Sequence, residues 1–240
     1  MSSEACLALL LDGPLQSWGH ASRFERRTTA LHPTRSGVFG LIAAALGINK
    51  HGTDETGQLA RLQPLRVITV TLPRRNRRGD ELLIRRLEDY HTVIGIRRAS
   101  GKVDKDATVQ TYRHYLLDAR FGVLLEGPAS LLDEIAAALR NPKWGIWFGR
   151  KSCLPASPVL ATPPGERANV WPQLLQRAGF AGTESLEQFD HVLETAPGAS
   201  GSDMIDDAPL GYGQPIGERH APRWIRRVPK SPVAPPTTST

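Results

Sequence analysis

Pro33-Thr34-Arg35-Ser36-Gly37-Val38-Phe39-Gly40-Leu41-Ile42-Ala43-Ala44-Ala45-Leu46-Gly47 reads as one helix with both ends marked. Thr34 or Ser36 suits the N-cap, where a hydroxyl accepts from an orphan amide of the first turn. Gly47 suits the left-handed position that closes a helix. Val38, Leu41, Ile42, Ala45 and Leu46 recur at helical spacing and form one apolar stripe. Gly37, Gly40 and Ala44 leave a second face almost bare, so another group can approach the backbone there. Arg35 stands at the positive end of the helix dipole with nothing acidic in the first turn. Two readings stand. A cation, a hydroxyl and free amides make an anion site, or this is a capped core helix with one solvated arginine.

Upstream, residues 6–11 form a continuous apolar run closed by Asp12-Gly13-Pro14, the pattern of a buried strand. The loop Leu15-Gln16-Ser17-Trp18-Gly19-His20 brings together an amide, a hydroxyl and an indole. The indole is either a core plug or a stacking surface for a base or sugar. Residues 22–32 are polar and basic, with Arg23, Arg26 and Arg27.

Downstream, residues 65–72 read as a second strand that runs into Pro73-Arg74-Arg75-Asn76-Arg77-Arg78-Gly79. Like charges at that density repel, and the segment is expected to move unless an anion neutralises it. Up to about Arg113, apolar residues interleave with Arg85, Arg86, Arg97 and Arg98, and Ala99-Ser100-Gly101-Lys102 has the composition of a hairpin tip. A protruding basic hairpin is the reading here, with a plain solvated ribbon as the alternative. Residues 111–125 return to strand character. Pro128 then opens a helix with Leu131, Leu132, Ile135, Ala138 and Leu139 on its apolar face, stopped at Asn141-Pro142. With one further strand expected, this is the β-α-β-β-α-β order of an α+β, ferredoxin-like (RRM-like) domain. That fold hosts many functions, RNA recognition among them, and licenses none alone.

Residues 144–155 hold a second unusual cluster, Trp144-Gly145-Ile146-Trp147-Phe148-Gly149-Arg150-Lys151-Ser152-Cys153-Leu154-Pro155. Arg150 and Lys151 offer a phosphate contact, or they are the polar end of a buried aromatic strand. A short helix is expected over 170–178, an acidic loop over 197–207 and a last strand over 224–228. The expected division is a main domain over 1–160, a C-terminal β-rich extension over 161–228 and a Pro/Thr/Ser-rich disordered tail over 229–240.

Thirty lysines and arginines against 24 acids give the 240-residue chain a net charge of +6. That excess favours a polyanionic partner or an acidic protein surface. Cys6 and Cys153 form no C-x-x-C, so neither a disulfide framework nor a zinc site is expected, and the expected compartment is the cytoplasm. No apolar run reaches the length of a membrane span. The seven histidines lack ligand spacing, and phosphate-loop, zincin and nucleophile-elbow motifs are missing, so no metal and no cofactor are expected. One stretch has parts for acid–base work. Asp89-Tyr90-His91-Thr92 sets an imidazole beside a phenol in a basic region, as a metal-free ribonuclease needs, although an imidazole there also serves as a plain hydrogen-bonding or stacking group.

Five stretches taken together resemble a known family. They are Asp12-Gly13-Pro14-Leu15-Gln16-Ser17-Trp18-Gly19, the helix over 33–47, Asp89-Tyr90-His91-Thr92-Val93, Thr111-Tyr112-Arg113-His114-Tyr115-Leu116-Leu117-Asp118-Ala119 and Gly149-Arg150-Lys151-Ser152-Cys153. In that order they are similar to the CasD-type, 5′-handle-binding subunit of the type I-E CRISPR Cascade, a RAMP superfamily member. The pattern departs at Asp12 and Leu15, where a smaller residue and a methionine are expected, and it fades after about Pro163.

The resemblance implies a modified ferredoxin-like domain with a long β-hairpin thumb, here about 74–113. It implies a non-catalytic subunit that holds the 5′ handle of the CRISPR RNA, caps the backbone filament and contributes to antiviral defence. The implied partners are that RNA, the adjacent backbone subunit, the large PAM-recognising subunit and, through the complex, target DNA. The implied handle contacts are Gln16, Ser17, Trp18, Arg35, Ser36, Tyr90, His91, Arg150 and Lys151, to which Arg97, Arg98 and Arg113 of the basic hairpin are added. The alternative is a metal-independent endoribonuclease of CRISPR repeat RNA working through His91 and Tyr90, since a relative in the I-C variant cuts its own precursor.

Overall fold

Strand β1 (Glu4–Asp12) is apolar on both sides because it is covered on both sides. Leu7, Leu9 and Leu11 enter one core with two helices, α1 (Arg35–Leu46) and α3 (Ala129–Arg140). Cys6, Ala8 and Leu10 enter a second core beneath α4 (Arg167–Arg177). Alternate side chains of a strand point to opposite faces, so a run of leucines with no polar interruption needs two such covers. The computed structural model describes residues 4–19, 25–97, 103–214 and 218–231.

Four two-residue strands follow β1: β2 (Leu15–Gln16), β3 (Trp18–Gly19), β4 (Arg26–Arg27) and β5 (Thr29–Ala30). After α1 come the short helix α2 (Glu55–Ala60), β6 (Arg66–Thr71) and a small hairpin of β7 (Arg74–Arg75) with β8 (Glu81–Leu82). Then come β9 (Arg85–Arg97), β10 (Val103–Leu117) and β11 (Arg120–Pro128). Beyond α4 lie β12 (His191–Thr195), β13 (Asp203–Pro209) and β14 (His220–Val228).

The main sheet runs β1-β11-β6-β12-β14-β13 and is antiparallel throughout. Along the free edge of β1, Leu10 N donates to Val159 O and Cys6 N to Gly165 O, each at 2.8 Å, so residues 159–165 run beside it. A second sheet is built on β10, which pairs with β2, β4 and β9. At roughly 3.3 Å per residue the β9–β10 hairpin is about 40 Å long, and Leu87, Tyr90, Val93 and Ile94 are exposed on it. The chain is a mixed α/β protein with antiparallel sheets.

Several expectations change. The long hairpin spans the paired segments 85–97 and 103–117, not 74–113. Residues 74–82 fold back separately, because Asn76 Oδ1 accepts from Arg78 N and Asp80 N, and Arg74 is tied to Asp12 and to Asp118 O. The tip at 99–102 lies outside the described residues. The expected acidic loop over 197–207 becomes β13 from Asp203 onward, paired with β14. The expected extension adds β12 to β6 through His191↔Val70 and Val192↔Thr69, which continues the main sheet. The aromatic stretch over 144–155 is a loop, turned back by Cys153 N donating to Arg150 O and Phe148 N to Cys153 O. Of the expected tail, Lys230 N donates to Asp190 Oδ1 and Ser231 N to Glu187 O, and residues 232–240 lie outside the described residues. Among the described residues no helix is long and apolar enough to cross a membrane.

Candidate nucleic-acid interface

Thr34 is the N-cap of α1: its Oγ1 accepts from Gly37 N at 3.1 Å. Gly47, in the left-handed region at φ 76°, closes the helix. Between these ends Gly37, Gly40, Leu41 and Ala44 form the floor of an open groove of about 970 Å³. Its walls come from three loops far apart in sequence. One side carries Ser17, Gly19 and Arg27, another Trp147, Gly149 and Arg150, and the third Tyr212 and Arg219, with Lys50 at one end.

The groove is cationic. Arg27, Lys50, Arg150 and Arg219 all line it, and among the described residues no aspartate or glutamate does. None of the four has a carboxylate partner among the described residues. Arg150 is held over the Tyr115 ring at 4.5 Å, with Nη1 donating to His114 O and Nη2 to Arg27 O. Arg219 Nε donates to Gln214 O. Such a guanidinium keeps its charge while its position is fixed by carbonyls, and it attracts an anion. The Tyr212 hydroxyl donates to Ser36 O at 2.7 Å, and burial pushes its phenol pKa up, which keeps it a donor. Ser36 Oγ meets His220 Nε2 at 2.9 Å. Burial lowers the pKa of that imidazole, with Asp207 and Asp206 opposing the shift and Arg219 adding to it.

The structure separates the expected contact residues into three groups. Ser17, Ser36 and Arg150 line the groove, and Lys151 sits beside it, 5.9 Å above the Trp147 ring. Gln16, Trp18 and Arg35 are corrected to interior residues. Gln16 Nε2 donates to Leu11 O and Ala119 O, and its Oε1 accepts from Trp18 Nε1 at 3.1 Å. The Trp18 ring is fully buried 6.0 Å from Phe148 and beneath Gly37, so it is the core plug and not a stacking surface. Arg35 is 4 % exposed. Its guanidinium lies over Phe39 at 4.4 Å, donates to Leu65 O and Gln63 O and pairs with Glu194. The anion at the start of α1 is the protein's own: Asp207 Oδ2 accepts from Arg35 N at 2.9 Å.

The third group lies on the long hairpin. Tyr90 is 53 % exposed and packs at a tilt against Tyr112, ring centroids 5.5 Å apart, which also carries Arg26 over its ring at 5.0 Å. Tyr90 faces Tyr112 across the ladder and His91 faces Thr111, so the phenol and the imidazole stand on opposite faces of the hairpin. Arg113 lies opposite Asp89 and donates from Nε to Thr111 Oγ1. Arg97 is in β9, its side chain is not described, and Arg98 lies outside the described residues. The sequence reading missed Arg27, Lys50, Arg219 and Tyr212 as groove residues. The bare face of α1 was the available signal that something is meant to approach there. Cys6 and Cys153 are both buried free thiols, and burial pushes the Cys6 pKa up to about 12. Among the described residues no three His, Cys, Asp or Glu side chains gather as metal ligands would.

Residues 6–222 match the model of the family described as CRISPR-associated protein (Cas_Cas5). The chain belongs to the Cas5 family. It is 36 % identical over 164 residues to the CRISPR system Cascade subunit CasD of Escherichia coli (strain K12), which covers 64 % of this chain and 69 % of that one. A chain of a solved CRISPR RNA-guided surveillance complex superposes with a TM-score of 0.68 at 28 % identity, covering 94 % of this chain and 90 % of its own. A solved Cas protein superposes at 0.54 and 29 % identity, with 94 % and 95 % covered. The matched region of this Cas5-family chain takes in all three walls of the groove and the long hairpin.

Proposed function

We propose that this chain is the non-catalytic RNA-binding subunit of a Cascade-type, RNA-guided antiviral complex in the cytoplasm, and that the groove over α1 holds the 5′ handle of the CRISPR RNA. The observation that carries this is the groove itself: four cations with no carboxylate partner among the described residues, around a helix face of mostly small residues, Gly37, Gly40 and Ala44. Phosphates can reach the backbone there, and the cations release counterions when they do. The order β1-α1-β6 and β11-α3, with residues 159–165 beside β1, supports a modified ferredoxin-like domain of the RAMP superfamily, and β9–β10 supports its thumb. The adjacent backbone subunit and the large PAM-recognising subunit are the proposed protein partners, and target DNA is met through the complex.

Tyr90 and His91 on opposite faces of the hairpin support the non-catalytic reading, because one phosphate cannot meet both. Handle RNA binding by the full chain, titrated with salt, tests the proposal. Arg27→Gln with Lys50→Gln should weaken binding and reduce the log–log salt slope by about 1.4, at roughly 0.7 per phosphate contact on a single strand. Unchanged affinity and slope would remove the groove from the RNA path. RNA cutting in EDTA that His91→Ala abolishes would make the chain a nuclease.

A further inference from the structure

The groove does not use the arginine run that follows β6. Arg74, Arg75, Arg77 and Arg78 lie in the β7–β8 hairpin, where Arg74 and Arg75 stand next to Phe180, just beyond α4, and Arg120 at the start of β11. Phe180 packs on the α4 side of the main sheet, the side opposite α1. Its ring carries two guanidiniums, Arg75 at 5.6 Å and Arg120 at 5.4 Å from the centroid, and is itself braced edge-on by Phe189 at 5.2 Å. Arg74, Arg75, Arg120, Gly179 and Phe180 line a shallow depression of about 320 Å³ with no acidic lining residue among the described residues.

The pairing around this cluster is incomplete. Arg74 is neutralised by Asp12, and Arg120 donates to Leu72 O and Pro73 O. Arg75, Arg77 and Arg78 have no ion pair among the described residues. Asp80, the carboxylate of the same turn, accepts from the Asn76 side chain. Burial and, next, the nearby Arg74 lower the Arg120 pKa, with Asp12 opposing the shift. The sequence leads one to expect a mobile segment here, yet the backbone of the hairpin is held through Asn76 and through Lys230, which reaches Glu81, and Arg75 is placed over Phe180. Fixing like charges together is unfavourable in water unless something anionic shares the site.

We propose that Arg75, Arg77 and Arg78, with Arg120 and Phe180, form a second binding surface for a nucleic-acid phosphate backbone, on the opposite side of the sheet from the α1 groove. A phosphate backbone is favoured over an acidic protein because the unpaired groups are guanidinium forks repeated along one turn. Forks match phosphate oxygens in pairs, and their repetition suits an evenly charged strand. The surface does not depend on the groove's role.

The test uses the full-length chain with labelled oligo-U, oligo-dT and a short DNA duplex, in the wild type and in the Arg27→Gln/Lys50→Gln background. Arg75→Gln/Arg77→Gln/Arg78→Gln should lower affinity at least tenfold for one of the probes in both backgrounds. The salt slope should fall by about 2 on a single strand, at roughly 0.7 for each of three contacts, and lysine at the three positions should restore it. The probe that loses affinity identifies RNA, single-stranded DNA or duplex as the ligand. Equal binding of all three probes by wild type and triple variant overturns the proposal. So does a loss confined to a poly-glutamate peptide, which would make the surface a protein contact. A triple variant that loses binding only in the wild-type groove background also overturns it, because the two surfaces would then be one.

Discussion

Asp207 of β13 caps a helix that begins 172 residues earlier: its Oδ2 accepts the backbone amide of Arg35 at 2.9 Å. The same carboxylate takes both ends of the Arg223 fork, and Arg223 and Arg35 share Glu194. Two cations and two carboxylates thus close a charge-balanced cluster where the C-terminal strands meet α1. Asp207→Ala leaves the Arg35 amide without its acceptor and the Arg223 guanidinium with Glu194 alone, which Arg35 already shares. Breaking a buried pair costs about 3–5 kcal/mol, and urea unfolding should register a loss of that order. Arg35→Ala should likewise appear first as lost stability. An Arg35→Ala protein with unchanged stability and weakened RNA binding would return Arg35 to the interface.

Trp18 and Gln16 make a parallel case inside the core. Trp18→Ala opens a cavity under Gly37 and should cost about 3–5 kcal/mol. Trp18→Phe keeps most of the volume but removes the donor to Gln16 Oε1, which is then buried and unpaired at a cost of about 1–3 kcal/mol. Both losses belong to the folded state, so RNA affinity measured on the folded fraction should stay near that of the wild type.

The caps of α1 were readable because Thr34 and Gly47 act within one turn of the helix they end. The basic groove was half readable: the bare helix face was visible, but the cations around it come from three distant loops. Arg35 was misread because its anions, Glu194 and Asp207, lie 159 and 172 residues away, and local spacing carries no trace of them. The strand at Asp203–Pro209 was hidden for the same reason, since its sequence looks like an acidic loop until Asp207 meets Arg223. Residues 144–155 looked like an aromatic strand, yet Gly149 and the turn at Cys153 deny it a ladder partner.

Acid should weaken the fold before carboxylates titrate. Burial, more than any other influence, lowers the pKa of His32, with Arg227 and Arg223 adding to it and Asp207 and the Pro33 carbonyl opposing. His220 is shifted the same way. Both imidazoles are held neutral in the folded state, while the unfolded chain takes up protons near pH 6.5, so stability present above about pH 6.5 is lost as pH falls through it. Urea midpoints at about pH 7.5 and pH 5.5 should differ, and His32→Gln should narrow the gap. An equal gap in the variant would assign the acid sensitivity to other groups.

Gly149 tests whether the groove wall needs its present backbone. The residue sits at φ 91°, and a Cβ added there would lie 1.7 Å from Ser17 O. Gly149→Ala therefore meets both a strained dihedral and a collision with main chain, which no side-chain rotation relieves. Holding a non-glycine residue in such a region costs about 1–3 kcal/mol before the clash is counted. The loop is expected to shift instead, breaking Ser17 N to Phe148 O and moving Arg150 off the Tyr115 ring and away from His114 O. Because Phe148 of this turn is fully buried against Trp18, the shift should also lower stability, and on the folded fraction handle affinity should fall by at least as much as for Arg150→Gln. If handle affinity survives Gly149→Ala intact, the wall formed by residues 147–150 is not where the RNA lies, and the binding path must follow Arg27, Lys50 and Arg219 alone.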